Sequence, residues 1–153
     1  MYLIYILYIW ANNLYCKVIM QLTIFTDYGL RSLMYLALQP DRLCSVREIS
    51  EYYGISRNHL VKVVHRLSQL EYIITIKGKG GGIRLAKDAG ILRIGDLVQK
   101  LEPHMNMVEC FSKETNTCKI THSCKLKYYL FNANQSFIDT LNKHTLADVA
   151  LSI

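Results

Sequence analysis

Residues 45–86 constrain the fold more than any other stretch, because several local signals follow one another there with little slack between them. Ser45 can cap a short helix, VREISEYY, with Glu48 three residues on as its capping-box partner. Gly54 breaks that helix, and Ser56 caps the next, expected from about Arg57 to Leu70. Two helices joined by a short turn that contains glycine make a helix-turn-helix. The second helix turns Leu60, Val63, Val64, Leu67 and Leu70 inward and leaves Asn58, Lys62, His65 and Gln69 on the opposite face. Those four side chains are of types that hydrogen-bond to base edges in a major groove.

The runs YIITIK and IRLA then predict two short strands around GKGGG, where glycine supplies the positive φ angles of a tight hairpin tip. The stretch KGKGGGIR, residues 77–84, holds four glycines and three cations. It is not a Walker phosphate loop, since it lacks the Gly-Lys-Ser/Thr ending, and a dinucleotide fingerprint read from Gly80 would need Gly where Leu85 stands. A hairpin directly after a helix-turn-helix is a wing, and its slim tip would carry Lys77, Lys79 and Arg84 to the DNA backbone or minor groove. Charge agrees with this placement. The chain carries +6, and between Arg57 and Lys87 there are seven cations against one acid, Glu71, whereas the rest has eleven of each. A cationic block on folded elements fits a polyanion footprint. The expected DNA-contacting set is Ser45, Ser56, Arg57, Asn58, His59, Lys62, His65, Gln69, Lys77, Lys79 and Arg84.

At 153 residues the chain suits one domain with appendages and needs neither metal nor disulfide merely to fold. MYLIYILYIWA, its first eleven residues, is uncharged but shorter than a spanning helix and without the basic segment and cleavage site of a signal peptide. Residues 1–19 are expected to be an upstream extension from a misplaced start, with a weak membrane anchor as the alternative. From Met20, Thr26 is expected to cap a helix through Leu38, ended by Pro40. After Cys124, Leu126, Leu130, Ala133, Phe137 and Leu141 form a single apolar stripe on a long helix. The expected fold is mainly α with a small β-hairpin wing: a winged helix-turn-helix over 20–103, a cysteine loop over 104–125, and a long helix and tail over 126–153.

Five cysteines, an odd number in a chain without an export signal, argue against a disulfide framework and for a cytoplasmic protein. Cys16 and Cys44 read as small residues without a role. The other three, Cys110-x7-Cys118-x5-Cys124, fall in the loop CFSKETNTCKITHSC. Thiolates so closely spaced favour a soft metal or an iron–sulfur cluster, and zinc with His122 as fourth ligand stays open on spacing alone. No suitably spaced acid and base pair points to an enzyme.

FTDYGLR, YGISRNHLVKVV, KGKGGGIRL and RIGDLVQKLEP together resemble the Rrf-type winged-helix transcription regulators, over about Met20 to Val149, and within them the nitric-oxide-sensing repressors. That resemblance implies an iron–sulfur cluster, 2Fe-2S or 4Fe-4S, held by Cys110, Cys118 and Cys124, the seven-residue first gap favouring 4Fe-4S. The iron–sulfur-assembly branch of the family has His three residues after its third cysteine, where this chain has Lys127. The fourth ligand stays open among His122, Glu109 and His104, while similarity to some members points to Asp27 of the partner subunit. The resemblance further implies a homodimer built on the helix after Cys124, which binds operator DNA and represses transcription until nitric oxide nitrosylates the cluster. A regulator of iron–sulfur or redox status, or a zinc-stabilised DNA-binding protein, is the alternative.

Overall fold

The computed structural model describes residues 21–150, so the apolar leader, Cys16 and the last three residues lie outside the described part. Helix α1 spans Ile24–Ala37, α2 Val46–Tyr53 and α3 Arg57–Gln69; β1 (Ile73–Ile76) and β2 (Gly82–Leu85) follow, then α4 (Ile94–Leu101), α5 (Lys125–Leu141) and α6 (Leu146–Ala150). Single 3-10 turns sit at Ala89–Ile91 and Glu109–Phe111. The mainly helical class with one small hairpin is as expected.

Helix α1 starts earlier than the cap at Thr26 predicts. Thr23 is the N-cap, and its hydroxyl oxygen accepts from the Thr26 amide at 3.2 Å. TIFT offers two threonines three residues apart, and the second is wholly buried inside the first turn, so the first is left to do the capping. Helix α2 carries the expected capping box: Ser45 Oγ accepts from the Glu48 amide at 3.0 Å, and the Glu48 carboxylate accepts from the Ser45 amide at 3.4 Å. The same carboxylate accepts from the Tyr35 hydroxyl of α1 at 2.6 Å and from the Arg42 guanidinium, so it ties α2 to α1 and to the loop between them. The Arg42 bonds, then the Tyr35 bond, hold the Glu48 carboxyl down to about 2. Gly54, with a left-handed backbone, ends α2. Ser56 occupies the N-cap position of α3 as expected, but its side chain makes no capping hydrogen bond.

The wing is a two-stranded antiparallel hairpin in which Ile73 faces Leu85 and Ile76 faces Gly82. Its tip turns on Gly78 and Gly80, with φ of 99° and 80°, values that any side chain would make costly. On the outer edge of β2, Cys44 exchanges both backbone hydrogen bonds with Ile83, at 2.9 and 2.8 Å, and adds a one-residue third strand. Cys44 is completely buried, and burial pushes its thiol pKa up. The residue is therefore a buried joint between the helix-turn-helix and the wing rather than a loop residue.

The core gathers Leu33, Leu36, Ile49, Leu60, Leu67, Ile83, Leu97 and Leu146, each with next to no exposure. Helix α1 sits in its middle and packs against α3, α4 and α6. Behind α4 the chain returns on itself. Asn142, the C-cap of α5, accepts from the Asp96 amide at 2.9 Å and donates to the Asp96 carboxylate at 3.1 Å. The Arg93 guanidinium donates to the Asn142 carbonyl at 2.7 Å, and Ile94 N donates to His144 O at 3.0 Å. Residues 93–96 and 142–144 thus form a clamp that sets the angle of α5 against the winged domain.

The helix after Cys124 runs as far as its apolar stripe, whose last member is Leu141. Helix α5 stops at Leu141, and α6 starts after a turn, where Thr145 and Asp148 bond reciprocally: the Asp148 carboxylate accepts from Thr145 N at 2.7 Å and Thr145 Oγ1 accepts from Asp148 N at 3.3 Å. The T-x-x-D pattern that restarts the helix was visible in the sequence. Along α5, Leu130, Phe137 and Leu141 are half-buried within the chain, whereas Leu126 and Ala133 are exposed, so the stripe straddles the boundary between core and surface. Among the described residues no helix is long and apolar enough to cross a membrane.

Candidate nucleic-acid interface and cysteine loop

Helix α3 buries Leu60, Val63, Val64 and Leu67 and leaves every expected reading residue, Asn58, Lys62, His65 and Gln69, in solvent. The helical repeat alone produces that separation, since buried and exposed sets lie on opposite sides of one helix. Gln69 Nε2 and His65 Nε2 sit 3.2 Å apart, one turn from each other on the outer face. Arg57, His59 and Arg66 flank that face and are also exposed. Ser45 and Ser56 stand exposed at the first residues before α2 and α3, and the Ser45 hydroxyl keeps its proton free to donate, its oxygen being taken by the cap. Lys77, Lys79 and Arg84 project from the wing without an acidic partner among the described residues. Helix face and wing therefore form two cationic surfaces joined through β1, with Lys87 adding a cation over the Tyr72 ring, 5.8 Å from its centre. Two overlooked features belong to this region: Val61, an apolar side chain 50% exposed on α3, and the Cys44 joint. The periodicity that assigned Leu60 and Val63 inward places Val61 outward as well, so it was findable.

The three remaining cysteines are free thiols, all half-buried. Cys110 lies in the Glu109–Phe111 turn, Cys118 in the loop, and Cys124 is the N-cap of α5, where its Sγ accepts from the Lys127 amide at 3.4 Å. The Glu109 carboxylate accepts from both the amide and the hydroxyl of Thr117, at 3.3 and 3.1 Å. That crosslink joins the residue before Cys110 to the residue before Cys118 and folds the loop back on itself. Lys127 donates to Thr121 Oγ1 at 3.2 Å, pinning the last limb to the first turn of α5. Phe111 packs edge-on against Phe131 of α5, their centres 6.3 Å apart.

Among the described residues no three His, Cys, Asp or Glu side chains already converge closely enough to hold a metal ion. The donor chemistry nonetheless suits an iron–sulfur cluster, with three disulfide-free, partly shielded thiols on one crosslinked loop. Of the fourth-ligand candidates, Glu109 is engaged by Thr117, while His122 and His104 are exposed. Asp27, in the first turn of α1, makes a two-point ion pair with Arg31, at 3.0 and 2.9 Å.

Comparison with known proteins agrees with this architecture. Residues 22–151 match the Rrf2 family, described as iron-dependent transcriptional regulators. The HTH-type transcriptional regulator NsrR of Shouchella clausii is 48% identical over 134 residues, covering 87% of this chain and 90% of that protein. The branch of the family that the motifs resemble bears this name. Two solved structures share the fold at 20% identity: the global cysteine regulator CymR of B. subtilis, with a TM-score of 0.72 over 88% of this chain and 98% of that one, and IscR of T. potens, with 0.70 over 87% and 88%. These relatives are transcriptional regulators and not enzymes. A chain matched by the family over residues 22–151, and sharing nearly half its residues with a regulator of almost equal length, belongs to the Rrf2 family of transcriptional regulators.

Proposed function

We propose that this regulator is a cytoplasmic, nitric-oxide-responsive repressor that binds operator DNA as a homodimer and carries an iron–sulfur cluster on Cys110, Cys118 and Cys124. The observation that carries this reading is the position of the cysteine loop: three free thiols end in Cys124, which itself caps α5, and α5 is clamped to the winged domain through Asn142. When bound, a cluster supplies thiolate-held iron to which nitric oxide adds. The chain's own part is mechanical and electrostatic. Cys110, Cys118 and Cys124 anchor the loop, and Glu109 with Thr117 holds its two limbs together. Helix α5 then passes the loop's state to residues 93–96, and α3 and the wing meet the duplex.

The dimer reading is supported by the first two turns of α5, where Leu126, Tyr128, Tyr129 and Phe131 are 57–63% exposed. A second copy would cover apolar surface of this kind, and a basic winged domain paired by two-fold symmetry reads two half-sites about one duplex turn apart. A change in loop state alters DNA affinity only so far as it stabilises one arrangement of the two wings over another. The fourth ligand in this reading is Asp27 of the partner subunit, which must leave or share its pairing with Arg31. Anaerobic purification with an absorption spectrum and iron, sulfide and zinc analysis tests the cluster. Single Cys→Ser changes at 110, 118 and 124 should each bleach the visible bands, while Cys44→Ser should not. Stoichiometric zinc without sulfide would refute it.

A further inference from the structure

The outer face of α3 is polar except at one position. Val61 is 50% exposed and lies one turn from Arg57 on one side and from His65 on the other, with Asn58 at the i−3 position. Its neighbours in the core set, Leu60, Val63 and Val64, point the other way and are buried. Val61 therefore takes no part in the hydrophobic core formed by the described residues. A β-branched residue also has a lower helix propensity than the Ala, Lys or Glu that a solvent-facing site would accommodate. Single exposed apolar residues are common on protein surfaces. This one is set in the middle of the surface that enters the major groove, where one apolar feature exists to be read: the C5-methyl of thymine.

We infer that Val61 is a specificity-determining residue, whose side-chain methyls contact the C5-methyl of one thymine in each operator half-site. The inference rests on the regulator reading above and deepens it. Side chains three apart on a helix stand about 5–6 Å from each other, and successive base pairs are about 3.4 Å apart. Val61 and Asn58 thus address base pairs no more than about two steps apart. Asn pairs best with adenine N6 and N7, so the half-site core should hold an adenine and a thymine within that distance, the first read by hydrogen bonds and the second by apolar contact.

The test uses the full-length chain, purified anaerobically, and an operator selected with it from a randomised duplex pool. Each thymine is then replaced singly by deoxyuridine, which removes only the methyl group. For wild type, one thymine per half-site should lose about three- to fivefold in affinity on replacement, the scale of one buried methyl. Val61→Ala should bind the thymine operator about that much more weakly and show no further loss with deoxyuridine, while its binding to random duplex stays unchanged. A flat deoxyuridine scan for wild type, or a Val61→Ala protein that keeps the same sensitivity, overturns the inference alone. A pool that enriches no sequence overturns the inference together with the regulator reading.

Discussion

Gly95 lies where α4 packs against α5, and replacing it with alanine probes the clamp directly. A Cβ added there would stand 2.6 Å from the Ile138 carbonyl oxygen and 2.5 Å from Asn142 Oδ1. Ordinary non-bonded contacts lie near 3.5 Å, so α4 and α5 must part by on the order of 1 Å. The Ile138 carbonyl is helix backbone, which cannot rotate away, and the Asn142 side chain could move only by leaving Asp96. Overpacking of this sort costs about 1–3 kcal/mol, and the two Asn142–Asp96 hydrogen bonds, at 2.9 and 3.1 Å, weaken with it. Alanine's better helix propensity gives back at most about 1 kcal/mol. The net loss is about 1–2 kcal/mol, a fall in Tm of about 2–8 °C for a chain of this size. Gly90→Ala is the control, since its Cβ meets only the movable end of Asp88, at 2.9 Å, and should shift Tm by under about 2 °C. Thermal unfolding followed by circular dichroism reads both. If Gly95→Ala melted within about 1 °C of wild type, the clamp would not be a close contact and the coupling of α5 to the wing would need another route.

Three further outcomes follow from the same geometry. Lys79→Ala or Arg84→Ala should weaken specific and random duplex alike and make the salt slope shallower by about one, whereas Asn58→Ala should mainly relax sequence preference; equal losses for Asn58→Ala on both duplexes would remove it from base reading. Tyr129→Glu, at an exposed site on α5, would bury an unpaired carboxylate in a dimer and should shift sedimentation towards monomer at micromolar concentration, so a variant that stays dimeric would exclude this face. Glu48→Gln should cost about 1 kcal/mol near neutral pH, an ion pair with a partly solvated partner being worth little more. Because the Glu48 carboxyl is depressed from 4.5 to about 2, its contribution is complete above pH 4.5 and disappears as pH falls towards 2. Wild type and Glu48→Gln should then converge in stability at acid pH; a gap that persists there would contradict the assignment.

Much of the winged helix-turn-helix was legible because its signals are local. The Ser45–Glu48 box, Gly54, the inward stripe of α3 and the glycines of the wing tip each act within a few residues, and each appears where the pattern placed it. What escaped depends on distant partners. Thr26 has capping chemistry, but burial in the core leaves the capping to Thr23. Cys44 looked idle because its strand is one residue long and its partner, Ile83, lies 39 positions away. The stripe after Cys124 marks α5 out to Leu141 but not the clamp beyond it, since Arg93 and Asp96 reach Asn142 from 49 and 46 positions away. The cysteine spacing marked the loop but not its shape, since the bond from Thr117 to Glu109 that folds it spans eight residues.

The central claim is that the state of the cysteine loop governs DNA binding, and a gel-shift titration with nitric oxide, run anaerobically beside the cluster's absorption spectrum, tests it most directly. The account predicts that the fraction of operator bound falls in step with the spectral change, and that the end point matches a Cys110→Ser protein never exposed to nitric oxide. Operator binding that persists after the spectrum has fully changed would contradict the account, leaving a DNA-binding regulator whose cluster is structural and whose signal is something else.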